Sequence, residues 1–323
     1  MSKKKNNRIL IIAFIVLLVA AGANELIKSL KGERTFRKDI IEYQANDIKK
    51  ISIFPKNAGN RNVDLYLEDT VWKLKVDGKL FATDQEMIKG IIDELANMTP
   101  ERLVATNRDS WKEYEITDSV GVKVIVYGPK NDKTEITLGR FSYNQATRKP
   151  STFVRVNNDK EVYAAEGYLS MTFNREINSL RDKNIFRGNQ NDLTQISFNY
   201  PADSSYTLNR QDGKWLMNGG AVDSTRMAGY LTTVCYLIGN GFRDDFIPAS
   251  VTSEPLKIIM TGNNMKPIEI KAYRDAVGTV LNSSENSATY FSGEEADLFK
   301  RVFQGRNYFL QGPPAAAVPK KQK

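Results

Sequence analysis

One pattern limits this chain more than any other. A tryptophan-headed strand, a tight turn, a short strand and a capped amphipathic helix occur in that order twice, at residues 72–95 and, in diverged form, at 215–237. In the first copy Asp77-Gly78 makes the turn, a pair suited to joining antiparallel strands. Thr83 or Asp84 is placed to cap the helix, and Thr83 with Glu86 has capping-box spacing. Met87, Ile88, Ile91, Ile92 and Leu95 then share one helical face, while Lys89, Asp93 and Glu94 share the other. In the second copy Asp223 and Ser224 fill the cap region, and Met227, Tyr230, Leu231, Val234 and Leu237 continue the apolar face. A shift of 139 aligns Asp84 with Asp223 and Gly90 with Gly229. A glycine inside a helix costs about 1 kcal/mol against alanine. Its recurrence predicts that something packs closely against both helices at that point.

The likeness extends outward. Residues 46–53 resemble 191–198 at a shift of 145. Residues 122–127 followed by 135–139 resemble 256–260 followed by 268–272. Falling offsets mean shortened loops on a kept scaffold. The expected fold class is therefore α+β, built as two tandem pseudo-repeats at 45–180 and 181–311. Each should be a mostly antiparallel, twisted sheet with its helix packed on one face, because short turns join the strands and helices are few. Helical stretches are also predicted at 168–180, bridging the repeats, and at 294–303.

The N-terminus points to a membrane. Residues 1–8 are basic and 9–23 form an unbroken apolar run. Basic residues before a hydrophobic span hold an N-terminus in the cytoplasm. A bilayer needs about 20 residues of helix, so the run is read as an anchor continuing to Ile27. A signal peptide cleaved at Ala21-Gly22-Ala23 is the other reading, and both put the body outside the cytoplasm. Residues 28–44 are expected to form a stalk, and 312–323, with Pro313, Pro314 and Pro319, a disordered tail. The net charge of +8 is concentrated at the ends: Lys3, Lys4, Lys5, Arg8, Lys320, Lys321 and Lys323 carry nearly all of it. The body is close to neutral, which argues against a nucleic-acid partner.

Residues that carry chemistry are scarce. The 323-residue chain has no histidine, which removes the commonest general base and metal ligand and every Ser-His or Cys-His pair. Glycine-rich phosphate loops and DxDxDG calcium loops are absent from the sequence. Cys235 is the only cysteine and aligns with Ala96, so it reads as a small core residue that cannot form an intramolecular disulfide. The acidic pairs Asp93-Glu94, Asp244-Asp245 and Glu294-Glu295 read as solvated surface, since glycoside hydrolysis needs two carboxylates facing across a cleft. Trp72 and Trp215 read as core aromatics, with a sugar-stacking platform as the other reading. No catalytic, cofactor-binding or metal-binding residue is assigned. The candidate partner surface comprises Trp111, Tyr114 and Tyr143 in loop regions, with Arg181 and Asp182 at the junction of the repeats.

The order of motifs resembles a known bacterial family. After the tryptophan strand pair and capped helix come Arg102-Leu103-Val104, Tyr114-Glu115-Ile116, a Val-x-Val strand, Ile136-Thr137-Leu138-Gly139, Phe153-Val154-Arg155-Val156, Glu161-Val162-Tyr163 and Leu180-Arg181-Asp182-Lys183. This is similar to the domain of unknown function 4340, over most of residues 40–305. One departure is Tyr114-Glu115-Ile116, where the family more often has Tyr-Gly-Leu. Members typically carry an N-terminal membrane segment, and related domains accompany auxiliary components of gliding-motility-type ABC transporters. The resemblance thus implies a single-pass protein of the bacterial inner membrane, with its N-terminus cytoplasmic and its bulk periplasmic. Its expected role is a non-enzymatic scaffold beside an envelope transport or motility assembly, and a periplasmic glycan- or peptide-binding module is the alternative.

Overall fold

A computed structural model describes residue 37 and residues 39–310, apart from 146 and 147. The expected anchor at 9–27, most of the expected stalk and the tail at 312–323 lie outside the described residues. Among those described, no helix is long and apolar enough to cross a membrane. Packing begins before Ala45: Ile40 and Ile41 are buried, and the Ile40 amide donates to the Met98 carbonyl.

The first half of the chain runs β1 (Lys50–Phe54), β2 (Val63–Glu68), β3 (Val71–Val76), β4 (Lys79–Ala82), α1 (Gln85–Ala96), β5 (Pro100–Ala105), β6 (Val122–Tyr127), β7 (Lys133–Asn144), β8 (Lys149–Val156) and β9 (Val162–Glu166). A one-turn helix α2 (Leu169–Phe173) follows. The second half runs β10 (Asn184–Arg187), β11 (Leu193–Asn199), β12 (Tyr206–Gln211), β13 (Lys214–Met217), β14 (Gly220–Ala221), α3 (Ser224–Val234), β15 (Tyr236–Ile238), β16 (Leu256–Gly262), β17 (Ile268–Arg274), β18 (Thr279–Ser283) and β19 (Asn286–Ser292). Short helices α4 (Leu298–Val302) and α5 (Arg306–Leu310) close it.

These strands form two large sheets on one plan. The first has the order β4-β3-β2-β1-β6-β7-β8-β9-β5, and the second β14-β13-β12-β11-β16-β17-β18-β19. In each, the chain lays down four strands, makes a helix, adds a strand that pairs elsewhere, β5 with β9 and β15 with β10, then returns to pair with the far side of the first of the four. The recorded strand pairs within both are antiparallel, as in β1 with β6 and β11 with β16. The turns follow from sequence: Asp77-Gly78, Asp212-Gly213 and Asn218-Gly219 all have positive φ at both positions, the geometry whose twist matches antiparallel strands. Alternation sets the faces. In β6 every second residue is buried, namely Val122, Val124 and Val126. The architecture is α+β and mostly antiparallel, as expected.

The helices are capped alike. The Asp84 carboxylate accepts from the Met87 amide at 3.1 Å, and that of Asp223 from the Arg226 amide at 2.8 Å. The capping box expected from Thr83 is replaced, because the Thr83 hydroxyl donates to the Trp72 carbonyl at 2.8 Å. The predicted close approach at the helix glycines is also corrected. Both are exposed, and a methyl group added at Gly90 or Gly229 would meet nothing within 4 Å.

Three more expectations about elements are revised. Leu237 leaves the helix: α3 ends at Val234, and Leu237 pairs with Phe186 in a two-stranded ribbon of β10 and β15. The bridge at 168–180 is not one helix. After α2, the Asn57 amide and side chain bond to Asn174, and a separate 3-10 turn covers Ile177–Leu180. The stretch 294–303 is interrupted by left-handed Ala296 and Asp297, so only Leu298–Val302 is α-helical.

The core of the second large sheet is aromatic at one end. Phe198 stacks on Tyr206 at 4.4 Å between ring centroids, and Phe309 of α5 meets Tyr230 edge-on at 5.2 Å. The buried phenols keep partners: Tyr230 donates to the Val302 carbonyl, and Tyr200 and Tyr206 both to that of Gln304. Burial raises all three phenol pKa values, which keeps them neutral donors.

Candidate functional site

Arg181 opens the ribbon segment and is held on every side. Its guanidinium makes two 2.7 Å bonds to the Asp244 carboxylate and a longer one to Asn178. It lies between the rings of Phe81, at 4.1 Å, and Phe242, at 3.7 Å. The planar fork suits both contacts at once, which an ammonium could not supply. Arg181 is 4% exposed, so its charge is engaged inside the fold rather than offered outward.

Asp182 is the next residue and is half-buried. Its amide donates to the Ala82 carbonyl, and its carboxylate accepts from both the amide and the side chain of Asn184. Asn286 donates to the carbonyls of Asp182 and Asn184. These bonds fix where β10 begins. Its far end is tied by the Gly188 amide to the Cys235 carbonyl, and the ribbon's other end by the Gly239 amide to the Lys183 carbonyl. Gly239 must be glycine here, since a methyl group would lie 2.3 Å from the Phe291 ring.

Within the ribbon β15 alternates and β10 does not. Leu237, Ile185 and Phe186 are buried, but Tyr236 is 66% exposed and Ile238 47%. Arg187 stands exposed on the neighbouring strand, opposite Tyr236. Two clefts meet at this pair. One, of about 570 Å³, is lined by Arg187, Gly188, Asn189, Gln190, Thr232, Cys235 and Tyr236. The other, of about 460 Å³, runs past Ile238 and Asp182 to Asp84 and Glu86 at the start of α1. Cys235, at the floor, is buried and its thiol is pushed up to about 11 by desolvation, so it stays protonated and unreactive.

The aromatic candidates lie elsewhere. Trp111 is half-buried, with its indole N–H on the Lys160 carbonyl and the Arg155 guanidinium 4.3 Å from the ring. Tyr114 packs on Phe153 at 4.5 Å. Both rest against the small buried cluster of Ile116, Phe153, Val162 and Ala164. Tyr143 is 51% exposed at the end of the β7–β8 hairpin, where its hydroxyl donates to the Arg148 carbonyl. The departure at Glu115 has a geometric consequence: this residue has φ of +56°, a conformation that glycine adopts freely. Close by, Gly139 passes so near the Tyr114 carbonyl that a methyl group would sit 2.1 Å from it.

The acidic pair Asp244-Asp245 is engaged with arginines, Asp244 with Arg181 and Asp245 with Arg243. Arg243 also bonds Asp275 at 2.7 Å. Among the described residues no group of three or more His, Cys, Asp or Glu could hold a metal ion. The exposed ribbon residues Tyr236, Ile238 and Arg187 were not legible as a surface, because Tyr236 and Leu237 read as the continuation of a helix.

No curated protein and no solved structure matches the chain. The family described as "Domain of unknown function (DUF4340)" matches residues 72–245, more than half of the chain, so the chain belongs to that family.

Proposed function

We propose that this protein is a non-enzymatic, membrane-anchored scaffold of the cell envelope, accessory to an ABC transport or gliding-type assembly, and that a protein partner docks on the β10–β15 ribbon. The exposure of Tyr236 and Ile238 beside Arg187 carries this reading. Exposed aromatic and aliphatic side chains flanked by an arginine are the groups that dominate the energetics of protein interfaces. The surface is also held rigid from behind, since Arg181, Asp182 and Asn286 fix the strand ends, and a rigid surface loses little entropy on docking. The apolar run at 9–23, continued to Ile27, supports the anchor, and the resemblance to domains that accompany transporters supports the setting.

The test uses the full-length chain, crosslinked in the membranes of its own cells and recovered under gentle detergent. A transporter or motility component should be recovered with the wild type in fixed ratio and lost with the Tyr236→Ser, Ile238→Thr double variant. Recovery of the same partner with both proteins would remove the ribbon from the proposal, and recovery of the wild type alone would remove the scaffold. A separate slot lies beside Trp215.

A further inference from the structure

We infer that this slot binds a small monocarboxylate with an apolar tail, of medium-chain fatty acid size. It measures about 380 Å³, within the range of about 300–1,000 Å³ usual for small-molecule sites. Trp215, Met227 and Leu231 form its buried floor. Val222, Ala221 and Ala228 add apolar walls from the strand and helix that flank it. Arg210 and Lys214 stand at its rim. No carboxylate lines the slot, and neither cation is ion-paired among the described residues. The Arg210 guanidinium makes one recorded bond, to the Asn191 carbonyl at 2.9 Å, which steadies it beside the opening. Asp223, at the start of the flanking helix, is engaged with the Arg226 amide, and Asp212 lies in the turn between Arg210 and Lys214 but does not line the slot. An apolar cavity edged by two cations that form no ion pair among the described residues complements an amphiphile with one negative end.

The first repeat supplies an internal control. Its β2–β3 register pairs Leu67 with Trp72 and Glu68 with Val71, while the β12–β13 register pairs Arg210 with Trp215 and Gln211 with Lys214. Where the second copy has two cations, the first therefore has Leu67 and Val71. The first helix position differs as well. Gln85 of α1 folds back on Trp72, donating to its carbonyl at 2.9 Å and accepting from its amide at 2.8 Å. The matching residue of α3 is Ser224, too short to reach across, and it lines the slot instead. The hairpin is shorter too: β4 has four residues and β14 two. The two rim cations and the short Ser224 side chain thus occur together in the copy that carries the slot, at positions where the other copy has Leu67, Val71 and Gln85.

The experiment measures octanoate binding to the purified full-length protein by saturation-transfer NMR and titration calorimetry, with 1-octanol and octyltrimethylammonium as probes of equal chain length. Octanoate should bind saturably in the millimolar range or tighter and in preference to both. Replacing the rim by its first-repeat counterparts, Arg210→Leu with Lys214→Val, should weaken octanoate by about tenfold and leave octanol unchanged. Ala228→Phe should fill the slot and abolish binding of octanoate. Absence of saturable binding, equal binding of octanol, or unchanged octanoate binding in the rim variant would each overturn the inference. So would undiminished binding in a folded Ala228→Phe protein, which would place the ligand on another apolar segment. Should that variant fail to fold, the exposed rim substitutions still decide the matter. None of these outcomes depends on whether a partner docks on the ribbon.

Discussion

At the scale of single residues, glycine marks two kinds of position in this chain, and they respond oppositely to substitution. Gly90 and Gly229 lie on exposed helix faces with open space where a methyl group would go. Each loses backbone entropy on folding without a packing reason. Gly90→Ala and Gly229→Ala should each raise stability by about 0.5–1 kcal/mol in chemical denaturation. Glu115 is the reverse case. It has a left-handed conformation that costs an L-residue about 1–2 kcal/mol, partly offset by the larger unfolded-state entropy of glycine. Glu115→Gly should therefore stabilise the chain, by up to about 1 kcal/mol. A loss of stability from any of the three would show that the local geometry is other than described. In the sequence Glu115 stands out only as a departure from the family's glycine. Only the backbone angle explains why glycine suits the place.

At the scale of elements, both helix starts and the end of α1 were legible, and the end of α3 was not. Asp84 and Asp223 stand where a cap was expected because capping depends on residues within one turn of each other. Asp223→Ala should cost about 1 kcal/mol by leaving the Arg226 amide without its acceptor, and Asp223→Asn should cost less; both are checked by thermal and urea unfolding. The end of α3 was misjudged for a tertiary reason. The 3.6-residue spacing continues through Leu237, but residues 236–238 find strand partners in β10, and Leu237 is buried from the ribbon instead. Helical periodicity and strand burial both accept a leucine there. A contact fifty residues away in sequence decides between them. The broken stretches at 168–180 and 294–303 fail as helices likewise, through Asn174 bonded to Asn57 and through left-handed Ala296 and Asp297.

At the scale of the whole molecule, the absence of histidine shapes the response to pH. No side chain has an ordinary pKa between about 5 and 8, and the one thiol is pushed up to about 11. The melting temperature should be nearly flat across about pH 5.5–8. The acid limb differs. Asp275 is held below the usual carboxylate range by the Gly278 amide and then by Arg243, and Asp245 by its bond to Arg243. A depressed folded pKa contributes stability that is present above the unfolded value, near 3.8, and is lost as pH falls through the folded one. Stability should thus drop below about pH 4, and Asp275→Asn should lower it at neutral pH while making the acid limb shallower. An unchanged acid limb in that variant would remove Asp275 from the account.

The sequence by itself determined the α+β class, the tight turns, the capped helices and the order in which these recur. All of these follow from residues a few positions apart: alternation for strands, Asp-Gly and Asn-Gly for turns, an aspartate before each amphipathic helix. Tertiary structure alone decided which edges pair, where α3 stops, and that Arg181 is enclosed between two rings and a carboxylate while Tyr236 and Ile238 face outward. It also decided that Trp215 borders a slot, and that Gln85 bonds back to the Trp72 backbone where Ser224 does not reach. Burial and pairing depend on groups brought together from far along the chain, and local spacing carries no record of which distant side chain will arrive.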